Sequence, residues 1–272
     1  MNDVISEIQD MRYLKWTRTR NSSGTAGSFL KSYDNTGKRK IYYKLSDYDS
    51  RKGIVGHECI NEIIAQRLLD ILGIEHLEYT LIHCIIKIDD IEYITYMCRS
   101  YDFKEPGESK IPLEDYYDME KRVNESPLEF CKRMNWEDYV YSMLVVDFLI
   151  SNRDRHGANI EVLFNRKKKK IKPAPLFDHG LSFVCRCHDK KALSEFDVMQ
   201  DMRIQSFIGG NSAYDNLKMV PISFLKSLRG LDAASRALVM EALDSVIDVE
   251  YLDKIWEMIS GRRRYLEDIR NT

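Results

Sequence analysis

The stretch VVDFLISNRDRHGANIEVLF, residues 145–164, decides how the rest of the chain is read. It runs from an apolar segment through a knot of charge into a second apolar segment, and places Asp154, Arg155, His156 and Asn159 within six residues. Immediately upstream, WEDYVYSMLVVDFLI is apolar on nearly every face, which predicts a central buried helix. Downstream, IEVLF and IKPAPLF read as two short strands joined by a basic tip at 165–170. Polar chemistry inserted between two buried elements is held on rigid walls, as a functional site requires.

Working outward toward the N-terminus, the pattern becomes β-rich with one helix. SGTAGSFLKSYD and KRKIYYKLSD predict two strands around the turn Asn35-Thr36-Gly37, with Lys44 inside the second strand. HECINEIIAQRLLDIL puts Ile60, Ile64, Leu68 and Leu72 on one stripe, and Gly73 follows as a stop, so residues 57–72 are predicted to be helical. EYTLIHCIIKID and IEYITYMCRSY then read as a hairpin turning at Asp89-Asp90. The order for this part is strand, strand, helix, strand, strand. After about residue 105, EDYYDMEKRV, PLEFCKRM, ISFLKSL, DAASRALVMEALDSVI and VEYLDKIWEMISGRRRYLEDI read as helices, Asp232 capping the fourth. This division predicts an α+β chain with a β-rich unit over 1–102 and a helical unit over 103–272.

With 272 residues, 44% of them hydrophobic and 31% charged, the chain is long enough for two lobes with their own cores. A formal charge of -2 offers no broad attraction to nucleic acid or anionic lipid. No segment has the run of about 18 uncharged apolar residues that a membrane span needs, and a cytoplasmic location is expected. Six Cys scattered through apolar segments suit reduced, buried thiols. Cys185-Arg186-Cys187-His188 lacks a second ligand pair for a metal and is read as structural.

Four polar clusters fall at the junctions of this scheme. The Gly/Ser stretch NSSGTAGS offers small residues, Ser23, Gly24, Thr25, Ala26, Gly27 and Ser28, whose backbone N–H groups can approach phosphate oxygens. Lys44 is followed by Glu58 and Glu62, either of which a helix can turn toward the ammonium. Asp154 and Asn159 form the third cluster, and Asp178 of PLFDHGLSF the fourth. Together they suit phosphoryl transfer from ATP, which needs phosphates held, metal charge placed and a hydroxyl oriented. Asp154 would align the hydroxyl proton, while Asn159 and Asp178 supply hard oxygen ligands for Mg²⁺. The adenine is expected against the segment around Met97, Arg99 and Tyr101.

DRHGAN followed by LFDHGLSF, with NEIIAQRLLDILGI upstream, resembles the HipA-like serine/threonine kinases, including the CtkA type, and more remotely the phosphoinositide 3-/4-kinases. The resemblance covers roughly residues 20–230. It implies a bilobal protein-kinase-like fold and transfer of the γ-phosphate to Ser or Thr. In it the catalytic Asp corresponds to Asp154, the metal-binding pair to Asn159 and Asp178, and the phosphate Lys to Lys44, with Glu62 rather than Glu58 as its partner. It also implies a protein substrate, of which aminoacyl-tRNA synthetases are one class in the family, a neutralising antitoxin partner, and autophosphorylation of a loop serine: Ser22, Ser23 or Ser28. Two features depart from the pattern. Only some twenty residues precede the Gly/Ser stretch where HipA carries an extra N-terminal subdomain, so a short form is expected, and SSGTAGS matches the family's loop only loosely.

Plainer roles are assigned to the remaining charged residues. Arg155 and His156 are read as braces of the loop, and His179 as packing in its own turn. The run RKKKKIK at 166–172, with Lys167, Lys168, Lys169 and Lys170, is read as a solvated tip. It has no interleaved aromatics, so direct nucleic-acid binding is not expected. RRRY at 262–265 is expected to face solvent. Two rival functions stand beside a protein kinase: a phosphotransferase acting on a lipid or small alcohol, and an inactive kinase-fold binding module.

Overall fold

The computed structural model describes residues 3–17, 29–232 and 234–271. Its N-terminal part contains β1 (Val4–Asp10), β2 (Lys31–Asp34), β3 (Ile41–Leu45), the two-residue strands β4 (Tyr48–Asp49) and β5 (Gly53–Ile54), α1 (Glu58–Leu72), β6 (Tyr79–Ile88) and β7 (Ile91–Tyr101). Then follow β8 (Glu108–Pro112), α2 (Leu113–Glu120), α3 (Pro127–Arg133), α4 (Glu137–Leu149), β9 (Asp154–Arg155), β10 (Glu161–Asn165), β11 (Lys170–Pro173) and α5 (Lys190–Glu195). The remainder comprises β12 (Gln205–Ser206), α6 (Ala213–Leu217), α7 (Ile222–Ser227), α8 (Ser235–Val239) and α9 (Val249–Arg270).

One five-stranded sheet, ordered β1-β6-β7-β3-β2, dominates the N-terminal part. The hairpin β6–β7 turns where the sequence places Asp89-Asp90, with positive φ at both residues (48° and 68°). Two left-handed residues match the twist of the strands they join, and Asp tolerates that conformation better than most side chains. β1 was not expected. It pairs parallel to β6 and is anchored by Asp3, whose carboxylate takes two hydrogen bonds from Arg67 of α1, each 2.8 Å long. Its seven residues mix exposed and half-buried positions without strict alternation, so the strand period is weak.

The two faces of the sheet bury different things. On one face Leu45, Met97 and Ile82 pack with Met11, Leu14 and Leu30. On the other, Leu81, Cys98 and Tyr79 pack against α1, in a core that continues through α4 into α9. Helix α1 ends at Gly73, which adopts φ 72° and donates to the Asp70 and Leu69 carbonyls. α4 is buried along most of its length, as its unbroken apolar sequence requires.

Three expectations for the C-terminal part are corrected. The helix expected over DAASRALVMEALDSVI is only α8, five residues long. Asp232 is not its N-cap, which is Ala234, although the Asp232 carboxylate accepts from Ser235 N at 2.9 Å. The helix stops because Arg67 reaches across and donates to the carbonyls of Val239 and Glu241, at 2.9 and 2.8 Å. These acceptors at a helix end are thereby satisfied without a further turn. RRRY does not simply face solvent either: Arg262 is buried and donates to the carbonyls of Val198, Phe148 and Gln200.

Candidate active site

The site assembles where β3, α1, the 154–159 loop and the segment after β11 meet. Lys44 sits in β3 opposite Cys98 of β7. Its Nζ lies 3.0 Å from Glu62 Oε1 and 2.6 Å from Asp178 Oδ1. Burial alone would strip the charge from this ammonium, but the two carboxylates hold its pKa well above the usual lysine value. Burial likewise works against the Asp178 charge, and Lys44 outweighs it, keeping this carboxyl ionised far into acid. Glu62, wholly buried, is pushed up by desolvation despite Lys44. Glu58 instead accepts from Asp47 N at 3.0 Å.

Helix α1 also positions the segment that carries Asp178. Asn61 donates its side-chain amide to the carbonyls of Gly180 and Ser182, at 2.8 and 3.1 Å. Glu62 Oε2 accepts from His179 N at 2.8 Å, and Asp178 N donates to Tyr79 Oη at 3.3 Å. A Cβ at position 180 would sit 3.1 Å from Glu58 Cβ and 3.3 Å from both Glu62 Oε1 and Lys44 Nζ. Glycine there lets backbone approach the ion pair closely. His179, buried beside Arg155, has its pKa driven well below the histidine value, first by burial, and stays neutral.

The loop itself is braced from below. Arg155 forks onto Asp147 near the end of α4, with Nε 3.0 Å from Oδ2 and Nη2 2.9 Å from Oδ1. Its Nη1 donates to the carbonyls of Phe177 (2.8 Å) and Asn159 (3.2 Å), tying the loop to the residue before Asp178. His156 accepts from Ala158 N at the start of a single 3₁₀ turn, Gly157–Asn159, and its Nε2 lies 3.7 Å from Asp154 Oδ1. Gly157 is needed because a Cβ there would lie 2.4 Å from Glu114 Cβ of α2. Asn159 donates Nδ2 to the Asp154 carbonyl at 2.8 Å. Asp154, partly buried, has its pKa raised by desolvation; His156 tempers the rise and the charge of Asp178 adds to it.

Lys44 thus joins Glu62 to Asp178, and Arg155 ties the Asp154–Asn159 loop to the residue before Asp178. Met97, Arg99 and Tyr101 take no part in this: register places Met97 opposite Leu45 and Arg99 opposite Tyr43, on the sheet face away from Lys44. A period of two puts Cys98 and Ser100 on the Lys44 face instead. Phe103 and Phe177, the latter next to Asp178 in sequence, have ring centroids 5.8 Å apart and carry no motif that would have marked them. Asn61, Tyr79 and Asp147 were also missed as positioning residues; of these only Asn61 had a signal, its place beside Glu62. Residues 23–28 of the Gly/Ser loop lie outside the described residues. A cavity of about 310 Å³ is found elsewhere, bordered by Ser46, Ile60, Tyr93 and Val246. Among the described residues no cluster of three or more His, Cys, Asp or Glu could hold a metal, and Cys185 and Cys187 are buried free thiols.

The sequence matches no family model and no curated protein. Solved structures do match. The Helicobacter pylori proinflammatory kinase CtkA superposes with a TM-score of 0.62 at 12% identity, over 97% of this chain and 98% of that one. HipA of Shewanella oneidensis, in complex with HipB and its operator DNA, gives 0.54 at 14% identity, over 92% of this chain and 67% of that one. Coverage of nearly the whole chain, together with a β-rich N-terminal lobe carrying one main helix and a helical C-terminal lobe, gives this protein the bilobal kinase fold of CtkA and HipA.

Proposed function

We propose that the chain is an ATP-dependent serine/threonine protein kinase. The observation that carries this reading is the bridge from Lys44 to Glu62 and Asp178, at 3.0 and 2.6 Å, with Asp154 and Asn159 on the adjoining loop. Lys44, oriented by Glu62, holds the nucleotide phosphates as a point charge. The substrate hydroxyl oxygen bonds to the γ-phosphorus as the bond to the ADP oxygen breaks, and Asp154 takes the hydroxyl proton. The adenine sits at the 102–107 linker, near Phe103 and Phe177.

Asp178 and Asn159 fit Mg²⁺. The Asp178 carboxylate stays ionised, and Asn159 commits its N–H to the Asp154 carbonyl, which leaves Oδ1 as the donor to an ion. Such a site asks for one or two protein oxygens, the rest coming from phosphates and water. When bound, the ion neutralises charge developing on the phosphates.

Incubation with labelled ATP and Mg²⁺, wild type beside Asp154→Ala, tests the reading. Label appearing on protein Ser or Thr with the wild type alone supports it; ATP binding with no turnover on any protein overturns it. Self-labelling is expected in peptide 21–31, at Ser22, Ser23 or Ser28, as read by mass spectrometry. The HipA structure contains HipB. By that likeness a neutralising partner for this chain is part of the proposal, and a toxin role with it.

A further inference from the structure

The strand β2 has one buried side and one open side. Leu30, just before it, and Ser32 are buried, Leu30 among Leu45, Met11 and Leu14 on the sheet face away from Lys44. A period of two then sends Phe29, Lys31 and Tyr33 to the Lys44 side. Two observations agree with this. The Phe29 ring centroid lies 4.9 Å from Lys44 Nζ, and Lys31 stands directly opposite Lys44 in the antiparallel pairing of β2 with β3. Residues opposed in this way share a face, with Cβ atoms about 4.5–5.5 Å apart.

Like charges set directly opposite each other cost stability, so the pairing of Lys31 with Lys44 asks for a reason. Lys44 by itself is already compensated. Its ammonium is taken up by Glu62 and Asp178, and with both carboxylates counted as ionised the trio carries one negative charge in excess. A polyphosphate brought to this bridge meets a lysine whose charge is shared out, and Lys31 supplies what is lacking. It is exposed and makes no ion pair with a carboxylate among the described residues, yet its charge reaches the bridge. Burial works against the Asp178 carboxylate, Lys44 does most to keep it ionised, and Lys31 comes next. Exposed lysines without a partner are common on any surface. One that faces Lys44 across the ladder and acts on the same carboxylate is placed there by the fold.

We propose that Lys31 is a second phosphate-binding residue, whose ammonium takes the β- and γ-phosphate oxygens of ATP from the β2 side while Lys44 takes them from the α1 side. The inference rests on the assignment of ATP to this bridge and adds a residue that the motifs did not mark. A compact, strongly hydrated charge on a flexible stem suits a contact that forms when nucleotide arrives and opens when it leaves.

Calorimetric titration of the full chain with an imido-bridged ATP analogue in the presence of Mg²⁺ tests it. Lys31→Met should weaken binding at least about tenfold, the scale of a lost hydrogen bond to a charged group, and KM for ATP should rise in step with a smaller change in kcat. Lys31→Arg, which keeps the charge, should bind as the wild type does. So should Lys87→Met, which removes a cation from the far hairpin of the same sheet. Without nucleotide, Lys31→Met should melt at or above the wild-type temperature, because the opposed like charges are gone. The proposal is overturned by unchanged affinity in Lys31→Met, by an equal loss in Lys31→Arg or Lys87→Met, or by a loss that comes with a lowered melting temperature. A wild type that binds no analogue overturns the assignment of ATP itself, and the role of Lys31 with it.

Discussion

Lys44 and Asp178 meet through a 2.6 Å contact between Nζ and Oδ1, and Asp178 makes it from a left-handed backbone conformation, φ 59°. Such a conformation is costly for a residue with a side chain and persists where surroundings over-determine it. Here those surroundings are Tyr79, Glu62 through His179, and Asn61 through Gly180.

Lys44→Met is expected to abolish phosphoryl transfer, by at least about a hundredfold on the scale of a lost charge clamp. It also leaves Glu62 buried without its cation, so stability should fall by about 3–5 kcal/mol. Adding Glu62→Gln should restore most of the stability and none of the activity. Denaturant unfolding beside a labelled-ATP assay reads both, and a stable, active Lys44→Met protein would remove the lysine from the mechanism.

Activity should depend on the ionised form of Asp154. Because burial raises this carboxyl above its ordinary value, the acid limb of the rate profile is expected above about pH 4, the usual carboxylate midpoint. Rate then rises with pH as the proton leaves. His156 tempers that rise in pKa, so His156→Gln, which can still accept from Ala158, should move the limb to higher pH. A limb that moves to lower pH in this variant contradicts the assignment.

Arg155→Lys keeps the charge but loses the fork onto Asp147 and its links to the Phe177 and Asn159 carbonyls. Since these hold the loop relative to Asp178 and touch no nucleotide, kcat should fall tenfold or more with a smaller change in KM for ATP. Asp147→Ala, which leaves a buried guanidinium unpaired, should cost about 3–5 kcal/mol in unfolding free energy. A change confined to KM would mean that Arg155 contacts the nucleotide.

Asn61→Leu keeps the branching of the side chain, though not its volume, and removes the donor to Gly180 and Ser182. Stability should fall by about 1–3 kcal/mol for the unsatisfied carbonyls. The Mg²⁺ concentration for half-maximal activity should rise at least about fivefold, on the order of 1 kcal/mol of lost preorganisation. A purely structural Asn61 would lower stability and leave the Mg²⁺ titration unchanged.

Much of this arrangement was legible because the strongest signals were local. The α1 stripe and its Gly73 stop, the Asp89-Asp90 turn and the unbroken apolar α4 each depend on nearby residues alone. So did the placement of Lys44 in a strand, and the reading of Arg155 as a buried brace matches its fork onto Asp147. What escaped depended on distant partners. The end of α8 is set by Arg67, more than 170 positions away in sequence, and Arg262 is buried by three carbonyls on two separate segments. The face on which Met97 and Arg99 lie is a matter of register with β3, and a shift of one residue reverses it.

The first strand bears on how the protein can be handled. β1 covers one side of β6, whose ten residues, YTLIHCIIKI, hold no proline, one cation and a run of β-branched side chains. Without residues 3–10, that strand would become a long, flat, apolar edge with unpaired N–H and C=O groups, the template on which other chains add and fibrils begin. The same cut would remove Asp3 from Arg67 and leave a buried cation without its carboxylate. A fusion joint or trimming site placed inside this segment therefore invites aggregation rather than a smaller folded protein.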